Sequence, residues 1–229
     1  VDFLGDIYEQ LILSGLNPTS KIIHNLLQTL ITNTNQKIIV LNTIQSFWVN
    51  CQQNIIIIVD KLMTYCIVDN FSIIKWILSS KSGNQLKHGY LWIILRKTME
   101  KTLARYDTIE TRIQQVEKGE FSYVEDPRDP EEIKARKLAD LQKRKDESSK
   151  ELETLLLSAI EDFSVLLESP IVAQDSFVAY RIQGHLMELL RKHAIFVQKL
   201  MSNEETRGQI LSSCTEETAQ LLEATRCLI

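Results

Sequence analysis

The chain has 229 residues, 44% hydrophobic and 24% charged, enough apolar material for one sizeable core and too much for a disordered tail. Seven glycines and four prolines leave little turn chemistry for the many short strands of a sandwich or barrel, so an all-helical fold is expected. With 26 basic against 30 acidic side chains the net charge is −4, and any attraction to a polyanion must come from a local patch.

The chain starts at Val1, with no initiator Met and no signal-peptide pattern, and runs straight into an amphipathic stretch from Phe3 to Leu13, which reads as a piece of a longer protein. Asn17-Pro18 supplies a cap and a first-turn proline, and Ile22, Ile23, Leu26, Leu27, Leu30 and Ile31 then follow at steps of three and four; a helix is predicted from about 18 to 32. Asn33-Thr34-Asn35 breaks it. Ile38, Ile39, Leu41, Ile44, Phe47 and Trp48 form the next stripe, ending near Asn50. Ile55 to Val59 resembles a buried strand taken alone, but Leu62, Met63 and Cys66 continue one helical face, so length decides for helix. Asp69 is an N-cap opening Phe71 to Leu78; Ser79-Ser80 and Ser82-Gly83 close that helix, and Leu86, Tyr90, Ile93 and Ile94 resume another.

Charge then changes character. Residues 96–153 hold 14 basic and 15 acidic side chains and only 16 apolar ones, a composition that reads as excluding this stretch from the core. Met99, Thr102, Tyr106, Ile109, Ile113 and Val116 keep a heptad-like seam, and so do Leu138, Leu141, Lys145, Ser148, Leu152 and Leu155. Gly119, Pro127 and Pro130 interrupt between them, which predicts a helical hairpin; a disordered charged loop is the alternative, because Lys145 and Ser148 sit at two seam positions. Leu155, Leu156, Leu157, Ile160, Phe163, Leu166 and Leu167 return the chain to the core, and Pro170 ends that helix. A last pair is predicted, Phe177 to Met201 and about Glu204 to Leu228.

The fold class expected is therefore all-α: stacked antiparallel helix pairs of the HEAT-like, α-α superhelical kind, with a projecting coiled-coil hairpin. One domain of a larger protein would comprise a first body part, 1–95, a charged arm, 96–155, with its tip at 119–130, and a second body part, 156–229.

No catalytic constellation is present: there is no phosphate loop ending in Lys-Ser/Thr, no G-x-S-x-G, no H-E-x-x-H and no Asp-rich calcium loop, so the chain is not read as an enzyme and no cofactor or metal is expected. His185 and His193 are eight apart with no acid or Cys placed beside both, a poor metal pair, and His24 and His88 are solitary. Cys51, Cys66, Cys214 and Cys227 frame no zinc site and read as reduced thiols packed as small hydrophobes in an intracellular protein. The apolar runs, Ile55 to Val59 among them, are all far short of a membrane span. Lys143-Arg144-Lys145 is followed at once by Asp146-Glu147 and reads as a solvated flank rather than a nuclear localisation signal. Trp48, Trp76 and Trp92 each sit on an apolar stripe and read as core, with partner anchoring as the alternative.

One block goes beyond class. Val40-Leu41, Phe47-Trp48, Ile58-Val59-Asp60-Lys61-Leu62-Met63, Ile67-Val68-Asp69, Lys75-Trp76-Ile77-Leu78-Ser79-Ser80 and Leu91-Trp92-Ile93-Ile94-Leu95 together form a compound pattern. In order and spacing it resembles the third helical domain of the large subunit of the nuclear cap-binding complex, a family that also inserts a charged hairpin after this block. The resemblance implies a HEAT-like domain shared with the middle domain of translation initiation scaffolds. It implies a heterodimer with a small RNA-recognition-motif subunit, which itself sandwiches the 7-methylguanosine cap, so that capped RNA is bound only indirectly. It further implies a nuclear protein that shuttles with exported RNA and supports splicing, export and RNA surveillance, with import and RNA-processing factors as further partners and no membrane. Asp60, Lys61, Asp69 and Lys75 of the matching block become the candidates for contact with the small subunit, each equally readable as an N-cap or a surface ion-pair member. The alternative function is a helical-repeat transport receptor or a translation-initiation-type scaffold without a cap link.

Overall fold

The computed structural model describes residues 25, 27–79, 85–118 and 130–226, and all the regular structure among them is helical. Among the described residues ten helices have both bounds defined, in chain order: α1 Thr34–Phe47, α2 Gln52–Thr64, α3 Asn70–Leu78, α4 Gly89–Glu117, α5 Pro130–Leu167, α6 Pro170–Ala173, α7 Ser176–Lys192, α8 Ala194–Ser202, α9 Glu204–Ser213 and α10 Glu216–Arg226. The helix predicted from about 18 to 32 lies mostly outside the described residues; residues 27–30 are helical, and the Ile31 amide closes that turn on the Leu27 carbonyl at 2.9 Å.

Local chemistry sets the boundaries. Asn33 caps α1 in a reciprocal box, its side chain accepting from the Gln36 amide at 2.9 Å while Gln36 Oε1 accepts from the Asn33 amide at 3.2 Å. Thr34 and Asn35 therefore open α1 instead of separating two helices. The α2 stripe Ile55, Ile56, Ile58, Val59 and Leu62 is buried as a helix face. Its end is made by Cys66, which takes a left-handed φ of 55° while the amides of Cys66 and Ile67 turn back on the carbonyls of Met63 and Leu62 at 3.0 and 2.9 Å. Cys66 is thus past the helix, and both it and Cys51 are exposed, contrary to the packed thiols expected; Cys214 is half-buried, and Cys227 lies outside the described residues.

Helices α1 to α3 pack on one another and, through α2 and α3, on α4 and α5; α7 to α10 pack on one another and on the C-terminal half of α5. One continuous core runs through both halves, with Trp76, Trp92 and Phe163 among its large members. The core indoles are satisfied: Trp76 Nε1 donates to Asn42 Oδ1 and Trp92 Nε1 to the Leu86 carbonyl, each at 3.0 Å. Trp48 is only half-buried.

Helices α4 and α5 run antiparallel. Arg105 pairs with Glu151, Lys145 Nζ with Glu110 at 2.9 Å, and Lys134 Nζ donates to the Glu117 carbonyl at 3.0 Å, so residue numbers rise on one helix as they fall on the other. Lys145 also lies 5.5 Å over the Tyr106 ring, which turns an expected seam defect into a salt-bridged contact. Ser148 is buried, and its hydroxyl has no partner. Residues 119–129 of the interruption lie outside the described residues; Pro130 does not block α5 but opens it, as a first-turn proline can.

Two expectations are corrected here. The charged stretch is not wholly outside the core: Thr98, Met99, Thr102 and Leu152 are buried, because one stripe of each long helix faces the body while the charges occupy the other sides. The predicted last pair is four helices. His193 ends α7 and starts α8, and Cys214 in extended geometry separates α9 from α10, where the Thr215 amide donates to Ser164 Oγ at 2.7 Å and Thr215 Oγ1 accepts from the Thr218 amide at 3.2 Å.

Candidate functional site

The residues singled out from the sequence fall around the α2–α3 connection. Asp69 caps α3, its carboxylate accepting from the Ser72 amide at 2.7 Å and from Lys37 Nζ of α1 at 2.5 Å. Burial pushes the Asp69 carboxyl up, but Lys37 and the Ser72 amide and hydroxyl outweigh it and hold the group below its ordinary value. Asp60 on α2 pairs with Lys101 of α4 at 2.7 Å. Lys61 is exposed beside it. Lys75 lies on α3 with its ammonium 5.1 Å over the Phe71 ring, and its charge reaches Asp162 of α5, whose carboxyl burial nevertheless pushes up.

A groove of about 370 Å³ opens at this connection, walled by Asp69, Asn70 and Cys66 on one side and by Lys101, Thr102, Arg105 and Glu151 on the other. It continues past Asp69 and Asn70 between Phe71 and the α5 residues Glu147, Lys150 and Thr154. Asn70 Nδ2 donates to Thr102 Oγ1 across it at 2.9 Å. The groove thus gathers Asp69 directly and Asp60 through Lys101, while Lys61 and Lys75 do not line it. Sequence reasoning missed Lys101, Arg105, Glu147 and Glu151, which it treated only as members of the charged stretch 96–153. Their signal was spacing: each pair is four apart and so shares one face of its helix.

Alternating, mutually paired charges beside backbone caps can exchange ion pairs with a polar polypeptide. Among the described residues no group of three or more His, Cys, Asp and Glu side chains is placed to hold a metal ion, and no described helix is long and apolar enough to cross a membrane. His185 stacks on Trp92 and His193 is buried, two turns apart on the opposite side of α4 from this groove's lining.

Comparison with known proteins decides the family: the MIF4G-like sequence pattern matches residues 16–213. The chain belongs to the MIF4G-like family. Among curated relatives, this MIF4G-like chain is 28% identical over 95 residues to nuclear cap-binding protein subunit 1 of Oryza sativa subsp. japonica, covering 41% of the chain and 11% of that protein. It is 32% and 33% identical over 78 residues to the proteins of the same name from Aedes aegypti and Gallus gallus, covering 34% of the chain and 10% of each. The matches span about a tenth of the length of these relatives. Stacked helices built as described are the architecture of this MIF4G-like chain.

Proposed function

We propose that the chain is a scaffold domain of a nuclear cap-binding complex, which binds a small RNA-recognition-motif subunit and holds it in the ordered form that grips the 7-methylguanosine cap. The observation that carries this reading is the set of relatives named nuclear cap-binding protein subunit 1 in three distant organisms. In this reading the body is formed by 1–95 and 156–229, residues 96–155 are its arm, and the protein works in the nucleus on RNA processing and export.

The role is thermodynamic. A flexible small subunit loses conformational entropy on ordering its cap pocket, and a preformed helical surface offsets that loss by offering burial only to the ordered form. The groove at the α2–α3 connection is the contact region, with Asp69 lining it, Asp60 joined to it through Lys101, and Lys61 and Lys75 on the helices flanking it. A pull-down of the small subunit, followed by titration of a fluorescent cap analogue with and without this chain, tests it. Tighter cap binding in the presence of the chain is expected; retention of no small subunit, or an unchanged cap affinity, sinks the proposal.

A further inference from the structure

Helix α7 buries Val178, Ile182, Leu186, Leu189 and Leu190 and turns a second stripe to solvent. That stripe is Phe177, Tyr180, Gly184, Glu188 and Arg191, at helical steps of three and four, with Arg181 on its flank. Phe177 is 65% exposed and Tyr180 75%, two large aromatic rings that α7 places in water. Gly184 continues the line, and a Cβ built there meets nothing within 4 Å. No neighbour inside the fold therefore requires the missing side chain, although glycine weakens a solvated helix. The helix backbone is thus left bare one turn beyond Tyr180.

The charges along this stripe are unequal. Its carboxylates are already engaged: Asp175, which caps α7, pairs with Lys87 at 2.9 Å, and Glu188 meets Arg96 and His185, each at 3.4 Å. The two arginines are not. Arg181 donates to the Lys87 carbonyl at 2.9 Å and lies 5.9 Å over the Phe177 ring, and among the described residues neither it nor Arg191 forms an ion pair with a carboxylate. Two exposed aromatic rings beside two cations that lack acids are complementary to an anionic, amphipathic ligand. From Phe177 to Arg191 the stripe runs about 21 Å at 1.5 Å per residue, four turns of helix.

We propose that this outward face of α7 is a docking site for an acidic amphipathic helix of a partner protein, with Phe177 and Tyr180 as anchors, Gly184 as the point of close approach, and Arg181 and Arg191 as receivers of its carboxylates. Aromatic and arginine side chains are the residue types that anchor protein interfaces. A single-stranded nucleic acid is the poorer occupant, because a stacking base needs the ring face over which the Arg181 guanidinium already lies, whereas a helix side chain can pack against the exposed ring edges. The site is separate from the groove at the α2–α3 connection and does not depend on the cap-binding reading.

The test measures fluorescence anisotropy of synthetic amphipathic helices of about 18 residues, five turns, titrated with the whole 229-residue chain. One peptide has leucines along one face flanked by glutamates; the other has lysines in place of the glutamates. A labelled oligouridine is titrated in parallel, and the chain alone is sedimented. The glutamate peptide is expected to bind and the lysine peptide to bind at least ~10-fold more weakly. Gly184→Leu adds a side chain at an exposed position where a Cβ has open space and replaces a helix glycine, so it should leave thermal stability intact or raise it while weakening the glutamate peptide ~10-fold. The double variant R181E/R191E should reverse the peptide preference. Equal binding of both peptides, binding of oligouridine but neither peptide, self-association abolished by Tyr180→Ser, or peptide affinity unmoved by Gly184→Leu would each overturn the proposal.

Discussion

Trp92 and His185 stack across the boundary between α4 and α7, with ring centroids 4.2 Å apart and planes 15° from parallel. Phe163 of α5 stacks on the same indole at 6.2 Å, and burial holds the His185 imidazole below its ordinary pKa despite the Glu188 carboxylate beside it. One side chain therefore ties the two halves of the body together through the long helix between them. Trp92→Ala is expected to cost about 4 kcal/mol, from lost burial and the cavity left behind. Trp92→Phe, which keeps a ring but loses the N–H to Leu86, should cost about 1 to 2 kcal/mol. Urea unfolding followed by far-ultraviolet circular dichroism distinguishes the two.

His193, 2% exposed at the α7–α8 junction, has no partner for either ring nitrogen. Burial and the Lys192 ammonium lower its pKa to about 4, against the weaker pull of Glu100. The sign follows from linkage: the unfolded imidazole takes a proton near pH 6.5 and the folded one does not until about 4, so stability is full above the first value and falls as pH drops between them. From pH 7 to pH 5 the loss is about 2 kcal/mol. His193→Met should remove that part of the slope; an unfolding midpoint that responds to pH identically in both proteins would contradict the assignment.

Asp69→Ala removes a helix cap and leaves Lys37 without its carboxylate, for a cost of about 1 to 2 kcal/mol. Asp69→Asn keeps the bond to the Ser72 amide and should recover most of it. If instead both variants bind a small cap-binding subunit poorly while unfolding like the wild type, the carboxylate acts at the interface and not in the cap.

In the α4–α5 pair, Lys145→Glu sets two acids against each other at Glu110 and uncovers the Tyr106 ring. Limited proteolysis should then cut faster near residues 107–118 and 134–145, with the rest of the chain unchanged. Ser148→Ala should be neutral or stabilising by up to about 1 kcal/mol, since a buried hydroxyl without a partner is removed.

Stripes of apolar residues made most of the fold legible before any coordinate. Ile55 to Leu62 read as a helix by continuity, and Asp69 read as a cap from the polar residue preceding Phe71; both stand. The breaks at His193 and Cys214 did not read, because neither carries glycine or proline and the bends are imposed by packing and by a Ser164 hydrogen bond 51 positions away. The same limit hid the groove. Asp60 and Asp69 were visible as polar residues in an apolar block, but their neighbours Lys101, Arg105 and Glu151 reach them only through tertiary folding, and locally those three belong to a charge run with nothing to distinguish it.

Helix α5 spans 38 residues and contains neither glycine nor proline after its first position. At 1.5 Å per residue it is a beam of about 57 Å with no built-in hinge. Its far end carries charge and its near end seats Phe163 and Leu166 in the core. A load applied at residues 134–145 would therefore be delivered along the helix as torque to the packing of Phe163 on Trp92.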